Sequence, residues 1–480
     1  MTEKETKDKL INSFFGGGFH SQGQGFFPAL ELLSVIRGCW LKGGSDALLP
    51  VDCNDPLDYV RTPHDFARRL FDFSGRYFDE KDLESFAGSD EEKQRTRRVV
   101  SEVLGAVRAP TNDVSRRRKS GDSINIWFAL PLAGELIHDD AVARPLKPEK
   151  AKAQFENDPN APLIGMASSQ PQLLSLERSS FRGAGLLAHK ILRTDPDEDR
   201  LRATREGLAT LVEDGRSPIG QLGAILGRHD RLPPQKSFRD MNEHGTAPSS
   251  DAPKWQGFLR EGVHNIVTRS QLPEARRAVL LMHWVPYCLA RYQLEVVDHS
   301  VSEASPHHYL DFGTGPSTVR SRSQFTVDRI GPRIRAAMIT HASPQTADVE
   351  NLALAQADDA RKFLMGTLGR IGALNSPFGT GRHFTLRPTM LEALVFASIP
   401  AHLPGVPLTE FCSRTLWRDY DLVVDRASAA QAAADGQIDL ESFHRNSSNF
   451  ASLLEAQGLL ERYSDSTSLV STEMIINRSY

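Results

Sequence analysis

The run Ala278–Val297 constrains this chain more than any other part of it. It is the most apolar long stretch, yet it carries His283, Pro286, Arg291, Gln293 and Glu295. A bilayer-spanning helix needs about 20 predominantly apolar residues with few charges, and ionisable groups at membrane depth are costly. The run therefore reads as a helix buried inside a water-soluble body, with Pro286 expected to kink it and His283 expected to be a satisfied core histidine. At roughly 150 residues per domain, 480 residues give a starting expectation of about three domains.

Composition narrows the class. Hydrophobic residues at 40% and charged residues at 25% exclude a disordered chain, a collagen and a disulfide scaffold. Lys and Arg number 57 against 61 Asp and Glu, a net charge of −4, which excludes a globally basic nucleic-acid coat but not a local patch. Cys39, Cys53, Cys288 and Cys412 form no CxxC pair and no zinc-ribbon spacing, so they read as small buried hydrophobes of a reducing compartment. Met1–Lys9 leads into no apolar core of signal-peptide length. The expected location is the cytoplasm, away from any membrane.

The periodicity points to a mainly α protein with minor β: a multi-helical body followed by a C-terminal winged-helix module. The expected divisions are 1–228, a linker or insertion at 229–256 marked by Pro233, Pro234, Pro248 and Pro253, a central region 257–375, and a module 376–480. Within residues 13–27, Phe14, Phe15, Phe19, Phe26 and Phe27 alternate with glycines that disfavour a regular helix. These rings either insert into a partner or cap the protein's own core; burial is the commoner fate of Phe. Helices are expected over 28–43, within 63–108, within 176–228, as a pair over 257–297, and over 328–341 and 346–372. The spans 124–130 and 309–327 read as strand or extended, and 139–175 as a surface connection.

The C-terminal pattern is the clearest. Thr389 to Glu392 fits a capping box. Leu408, Phe411, Cys412 and Leu416 mark a second helix. Phe443, Phe450, Leu453 and Leu454 mark a third that ends near Gly458. Strand-like runs at 459–463 and 468–471 follow. Three helices and a hairpin are the plan of a winged helix. Its recognition helix would present Arg445, Asn446, Ser447 and Asn449. Yet residues 376–480 hold eight Arg, no Lys and twelve Asp and Glu, and phosphate binding needs local positive charge. DNA reading and protein docking both stay open. Two basic clusters lie elsewhere: Arg116, Arg117, Arg118 and Lys119, and the series Arg320, Arg322, Arg329, Arg333 and Arg335, opposed only by Asp328. Each can track a nucleic-acid backbone or be solvated charge.

No catalytic constellation accompanies these features, and no metal or cofactor site is expected. Asp311-Phe312-Gly313 lacks a kinase catalytic loop upstream. Gly313-Thr314-Gly315 lacks the lysine of a phosphate loop. His307-His308 would point apart in a strand and read as a surface loop. Asp298-His299-Ser300 is contiguous, whereas triads are assembled in space.

The run Val319 to Ser323 followed by Phe443 to Asn446, Leu453-Leu454, Gly458-Leu459-Leu460 and Ser464-Asp465 resembles accessory proteins of multi-gene bacterial anti-phage systems, of the methylation-associated or phosphorothioation-dependent kind. The resemblance covers roughly the last 200 residues and transfers no catalytic residue. It implies a non-catalytic component of a DNA restriction/modification-type complex, with methyltransferase, ATPase or nuclease subunits, and DNA itself, as its partners. A winged-helix transcription regulator and an enzyme of unrecognised class built around His307, His308, Asp298 and Asp311 are the alternatives.

Overall fold

The computed structural model describes residues 10–50, 58–61, 89–91, 93–94, 183–213, 236–239, 248–301, 306–343, 346–376, 381–432, 439–463 and 468–473. The cluster Arg116–Lys119, the run 124–130 and the connection 139–175 lie outside these residues, as do nearly all of 63–108 and most of 229–256.

The fold is mainly helical with a few short strands. After a helical turn at 10–15 comes α1 (Phe27–Gly43), then β1 (Asp58–Arg61), α2 (Ala184–Arg193), α3 (Glu198–Val212) and β2 (Lys236–Arg239). α4 (Pro253–Val267) and α5 (Glu274–Ser300) precede β3 (His308–Tyr309), α6 (Thr318–Ala342) and α7 (Ala347–Arg370). The C-terminal region holds α8 (Pro388–Ser398), β4 (Gly405–Pro407), a turn running into a π-helix at Phe411–Asp419, and β5 (Leu422–Val423). It closes with α9 (Arg426–Ala432), α10 (Leu440–Ala456), β6 (Leu460–Arg462) and β7 (Ser468–Ser471).

α5 is the central post. Every residue from Ala275 to Leu294 is buried, and the helix continues through Pro286. It is covered by α1, α4, α6, α7 and α8, as an apolar surface all round requires. α4 approaches closely enough that a Cβ at Gly262 would lie 2.0 Å from the Trp284 indole nitrogen. No helix among the described residues is long and apolar enough to cross a membrane.

Several polar groups of this helix find partners from other segments. Arg276 forms a buried ion pair with Glu392 of α8. Arg277 donates to the Val267 carbonyl at 2.7 Å, Gln293 to that of Ala360 at 3.0 Å, and Tyr292 to that of Phe15 at 2.8 Å. The His283 Nδ1–H donates to the Val279 carbonyl, and burial pushes its pKa down to about 4. The capping box at Thr389 is therefore replaced. α8 starts at Pro388 with no side-chain cap, because the buried guanidinium of Arg276 needs the Glu392 carboxylate more than a helix end does.

The Gly/Phe stretch belongs to this core. Phe14, Phe15, Phe19, Phe26 and Phe27 are all buried. Phe19 packs edge-on against Phe363 and stacks on Tyr292. The Ile11 and Gly25 amides donate to Gln356 and Thr367, and His20 and Ser21 bond Asp359, so the segment runs along α7. Its helical turn stops at Gly16, where φ is +72°. α6 begins ten residues earlier than the expected 328. Ser317 caps it by accepting the Arg320 amide at 3.0 Å. Its buried face includes Ser323 and Thr326, which hid the helical stripe from a reading based on apolar residues alone.

Two small sheets pair β1 with β2 antiparallel and β3 with β5 parallel. A third is antiparallel with the order β4-β7-β6, and Val470 of its middle strand faces both Val406 and Leu460. One apolar core includes Ile11 and Val470 alike.

Phe19→Ala is expected to lower the unfolding free energy by about 3–5 kcal/mol in denaturant titration. A near-unchanged midpoint would mean that the arm is not seated in the core.

Candidate partner and nucleic-acid interface

The loop after β3 is organised by one buried carboxylate. Asp311 accepts from Arg320 Nε at 2.6 Å, the Gly313 amide at 3.1 Å and the Ser317 hydroxyl at 3.4 Å. His383 Nε2 lies 3.6 Å away. Arg320 also donates to the Gly313 carbonyl at 2.6 Å. The kinase-like tripeptide thus shapes the turn that launches α6, and Arg320 is its partner.

Asn446 of α10 fixes the neighbouring helix to this loop. Its amide nitrogen donates to the Leu310 and Val424 carbonyls at 2.9 and 2.8 Å, and its oxygen accepts the Phe312 amide at 2.9 Å. Phe443 and Phe450 face inward beside it. The expectation that Asn446 reads base edges is corrected: it is buried, and its donor and acceptor atoms bond the protein's own backbone. Arg333 is corrected in the same way, since it is buried and donates to Asp298 at 2.7 Å.

The remaining residues face outward to different degrees. On α6, Arg329 and Arg335 are exposed, with the Arg329 guanidinium 4.7 Å over the Phe325 ring, itself 59% exposed. Arg322 is half-buried and lies over Tyr309. On α10, Glu441, His444, Arg445, Ser448, Asn449, Ser452 and Glu455 form the exposed stripe. Ser447 is half-buried and donates to the His444 carbonyl. Arg116, Arg117 and Arg118 lie outside the described residues. Sequence reasoning missed the ring of Tyr463, 65% exposed at the end of β6. It also missed the organising role of Asp311, whose one local sign was the capping Ser317.

The residues proposed for an unfamiliar enzyme do not converge on a common cleft. Asp298 pairs with Arg333, while His299 and Ser300 bond backbone carbonyls of their own helix. His307 and His308 point apart, as strand neighbours do: His307 bonds Asp421 at 2.7 Å, and His308 packs edge-on to Phe384. His308 is buried, which corrects its reading as surface loop. Among the described residues, no group of three or more His, Cys, Asp or Glu is placed to hold a metal ion. No family model matches this chain, and neither a curated protein nor a solved structure does.

Asp311→Ala is expected to cost about 1–3 kcal/mol by leaving the Gly313 amide and the part-buried Arg320 without their acceptor, and Asp311→Ala with Arg320→Met to recover part of it. Additive losses in denaturant titration would show that the pair is not coupled. Donation from His307 Nδ1 to the Asp421 carboxylate raises the His307 pKa above the ordinary 6.5. The folded state therefore holds the proton more tightly. That stabilisation is complete below pH 6.5 and is lost as pH rises through the folded value. An NMR titration should place His307 above 6.5, and Asp421→Asn should return it to the ordinary value.

Proposed function

We propose that this protein is a non-enzymatic component of a bacterial antiviral complex of the DNA restriction/modification type. Its C-terminal region would act as a winged helix that docks on a partner subunit. The observation that carries the reading is the order β4-β7-β6. A short strand after the first helix pairs with the last strand of a terminal hairpin, and α10 sits immediately before that hairpin. β5 and α9 are insertions in that plan. The assignment to antiviral defence rests on the resemblance of the C-terminal segments. Asp298 and Asp311 are taken up in ion pairs with Arg333 and Arg320, which favours structural roles for those two carboxylates.

Docking is favoured over DNA reading by charge. The exposed stripe of α10 sets Arg445 and His444 against Glu441 and Glu455, and the region carries eight Arg against twelve acids. Exposed Tyr463, whose hydroxyl donates to Glu461 at 2.7 Å, suits a protein interface, where aromatic residues are enriched. DNA contact is the second reading, favoured by solvent-facing Arg329 and Arg335 on α6.

Co-expression with the products of neighbouring genes tests the proposal. A complex stable in size-exclusion chromatography is expected, weakened at least about tenfold by Arg445→Glu with Tyr463→Ala, with the thermal midpoint unchanged. Absence of any complex would overturn docking. Duplex binding that falls steeply between about 50 and 200 mM salt, and is lost in Arg329→Glu with Arg335→Glu, would replace it with the DNA reading.

A further inference from the structure

Arg291 lies in the core and makes no ion pair among the described residues. It is 5% exposed. Its Nη2 donates to the Tyr420 carbonyl at 2.9 Å. Its Nε and Nη1 are buried and have no partner. The guanidinium lies 5.0 Å over the Trp255 ring, a contact that offsets only part of a desolvated charge. Carboxylates in the neighbourhood are committed elsewhere. Glu295, one turn on along α5, accepts the Lys254 and Trp255 amides at 3.3 and 3.0 Å and so caps α4. Asp421, next to Tyr420, is turned to His307 at 2.7 Å.

Two further polar atoms near this guanidinium are also buried and unpartnered. One is the Tyr287 hydroxyl, one turn back on the same face of α5; the other is Nδ1 of His308 on β3. Arg291 holds the Tyr420 carbonyl while the His308 amide donates to the next carbonyl, that of Asp421, at 3.3 Å, and the Tyr287 ring lies 5.7 Å from the Trp255 ring beneath the guanidinium, so the three share one neighbourhood. Burial holds His308 well below its ordinary pKa and Tyr287 up to about 12, so both are neutral at pH 7. A neutral imidazole can place its single N–H on Nδ1. The neighbourhood then offers guanidinium N–H groups, a phenol O–H and an imidazole N–H, with a net positive charge. Water could satisfy the donors but not the charge. An unpaired buried charge costs several kcal/mol, and unsatisfied buried groups in native proteins commonly mark an absent water or ion.

We propose that Arg291, Tyr287 and His308 form a buried binding site for a small inorganic monoanion of halide size, between α4, α5 and the β3–β5 pair. The Trp255 ring under the guanidinium packs on Tyr420, with centroids 5.5 Å apart. The occupant of the site would complete the packing of α5 against the C-terminal region, since Arg291 already holds the Tyr420 carbonyl. This inference does not depend on the docking reading.

Thermal unfolding of the full chain tests it. Sodium chloride or bromide is titrated against sodium isethionate at constant ionic strength, isethionate being too large for the site. The midpoint should rise with halide and saturate, as binding to the folded state alone requires. Arg291→Met should abolish the halide response, and Tyr287→Phe and His308→Gln should each weaken the apparent halide affinity about tenfold. Crystals grown in bromide should give an anomalous peak beside Arg291. If Arg291→Met does not fold, the two milder variants decide the matter. Equal midpoints in halide and isethionate would overturn the proposal. So would an unchanged affinity in both milder variants, or bromide-grown crystals with ordered water only at Arg291.

Discussion

The structure depends on satisfying α5 once it has been buried. An apolar helix covered on every side excludes water from each polar group it carries, and a buried donor without an acceptor costs the full desolvation of that group. The partners it finds are far away in sequence: Phe15, Val267, Ala360, Glu392 and Tyr420. Each bond ties one covering segment to the post, so burial of one helix fixes the N-terminal arm, α7, α8 and the π-helix region together. Interactions of this kind act as a network, because losing one partner strands a group that nothing else can reach.

The C-terminal region is joined to that body by polar contacts as well as apolar ones. Asp311 draws Arg320, Ser317 and the Gly313 amide into one turn, and Asn446 links the loop to α10. Arg269 adds another tie, reaching the Ile399 carbonyl and the Thr472 hydroxyl while burial lowers its pKa to about 10. α6 and α10 are thereby held by a shared hub, with Thr318 also bonding Asp439 at the start of α10. A binding surface carried on helices with locked supports is better defined than one carried on loops.

Local pattern was legible where burial follows apolar spacing. The helices of residues 28–43, 257–297 and 346–372, the inward Phe443 and Phe450, and the core role of His283 all rest on such spacing. Gly458, with φ +72°, ends α10 as its sequence position suggests. What could not be read was pairing at long range. Glu392 carries the same local signature whether it caps a helix or meets Arg276, which is 116 positions away. Asn446 looks like any polar residue of a recognition helix until Leu310, Phe312 and Val424 surround it. The start of α6 was hidden because polar Ser323 and Thr326 occupy its inner face. Arg333 was counted as surface charge because nothing near it in sequence announces Asp298.

The same bookkeeping changes the meaning of the net charge. Of the arginines counted in the total of −4, Arg269, Arg276, Arg277, Arg291 and Arg333 are buried. These cations project little field into solvent as compact surface charges, and those paired with Asp298 and Glu392 are neutralised where they stand. Others lie half-covered against Asp311 or the ring of Tyr309. The C-terminal region keeps its own exposed cations, Arg414, Arg418, Arg426, Arg445 and Arg462, interleaved with exposed acids such as Glu441, Glu455 and Glu473. A phosphate backbone would meet these cations together with the acids between them. The arginines buried on α5 and α6 thus serve packing rather than the surface field, and a count of basic residues overstates the charge that solvent or a partner meets on those two helices.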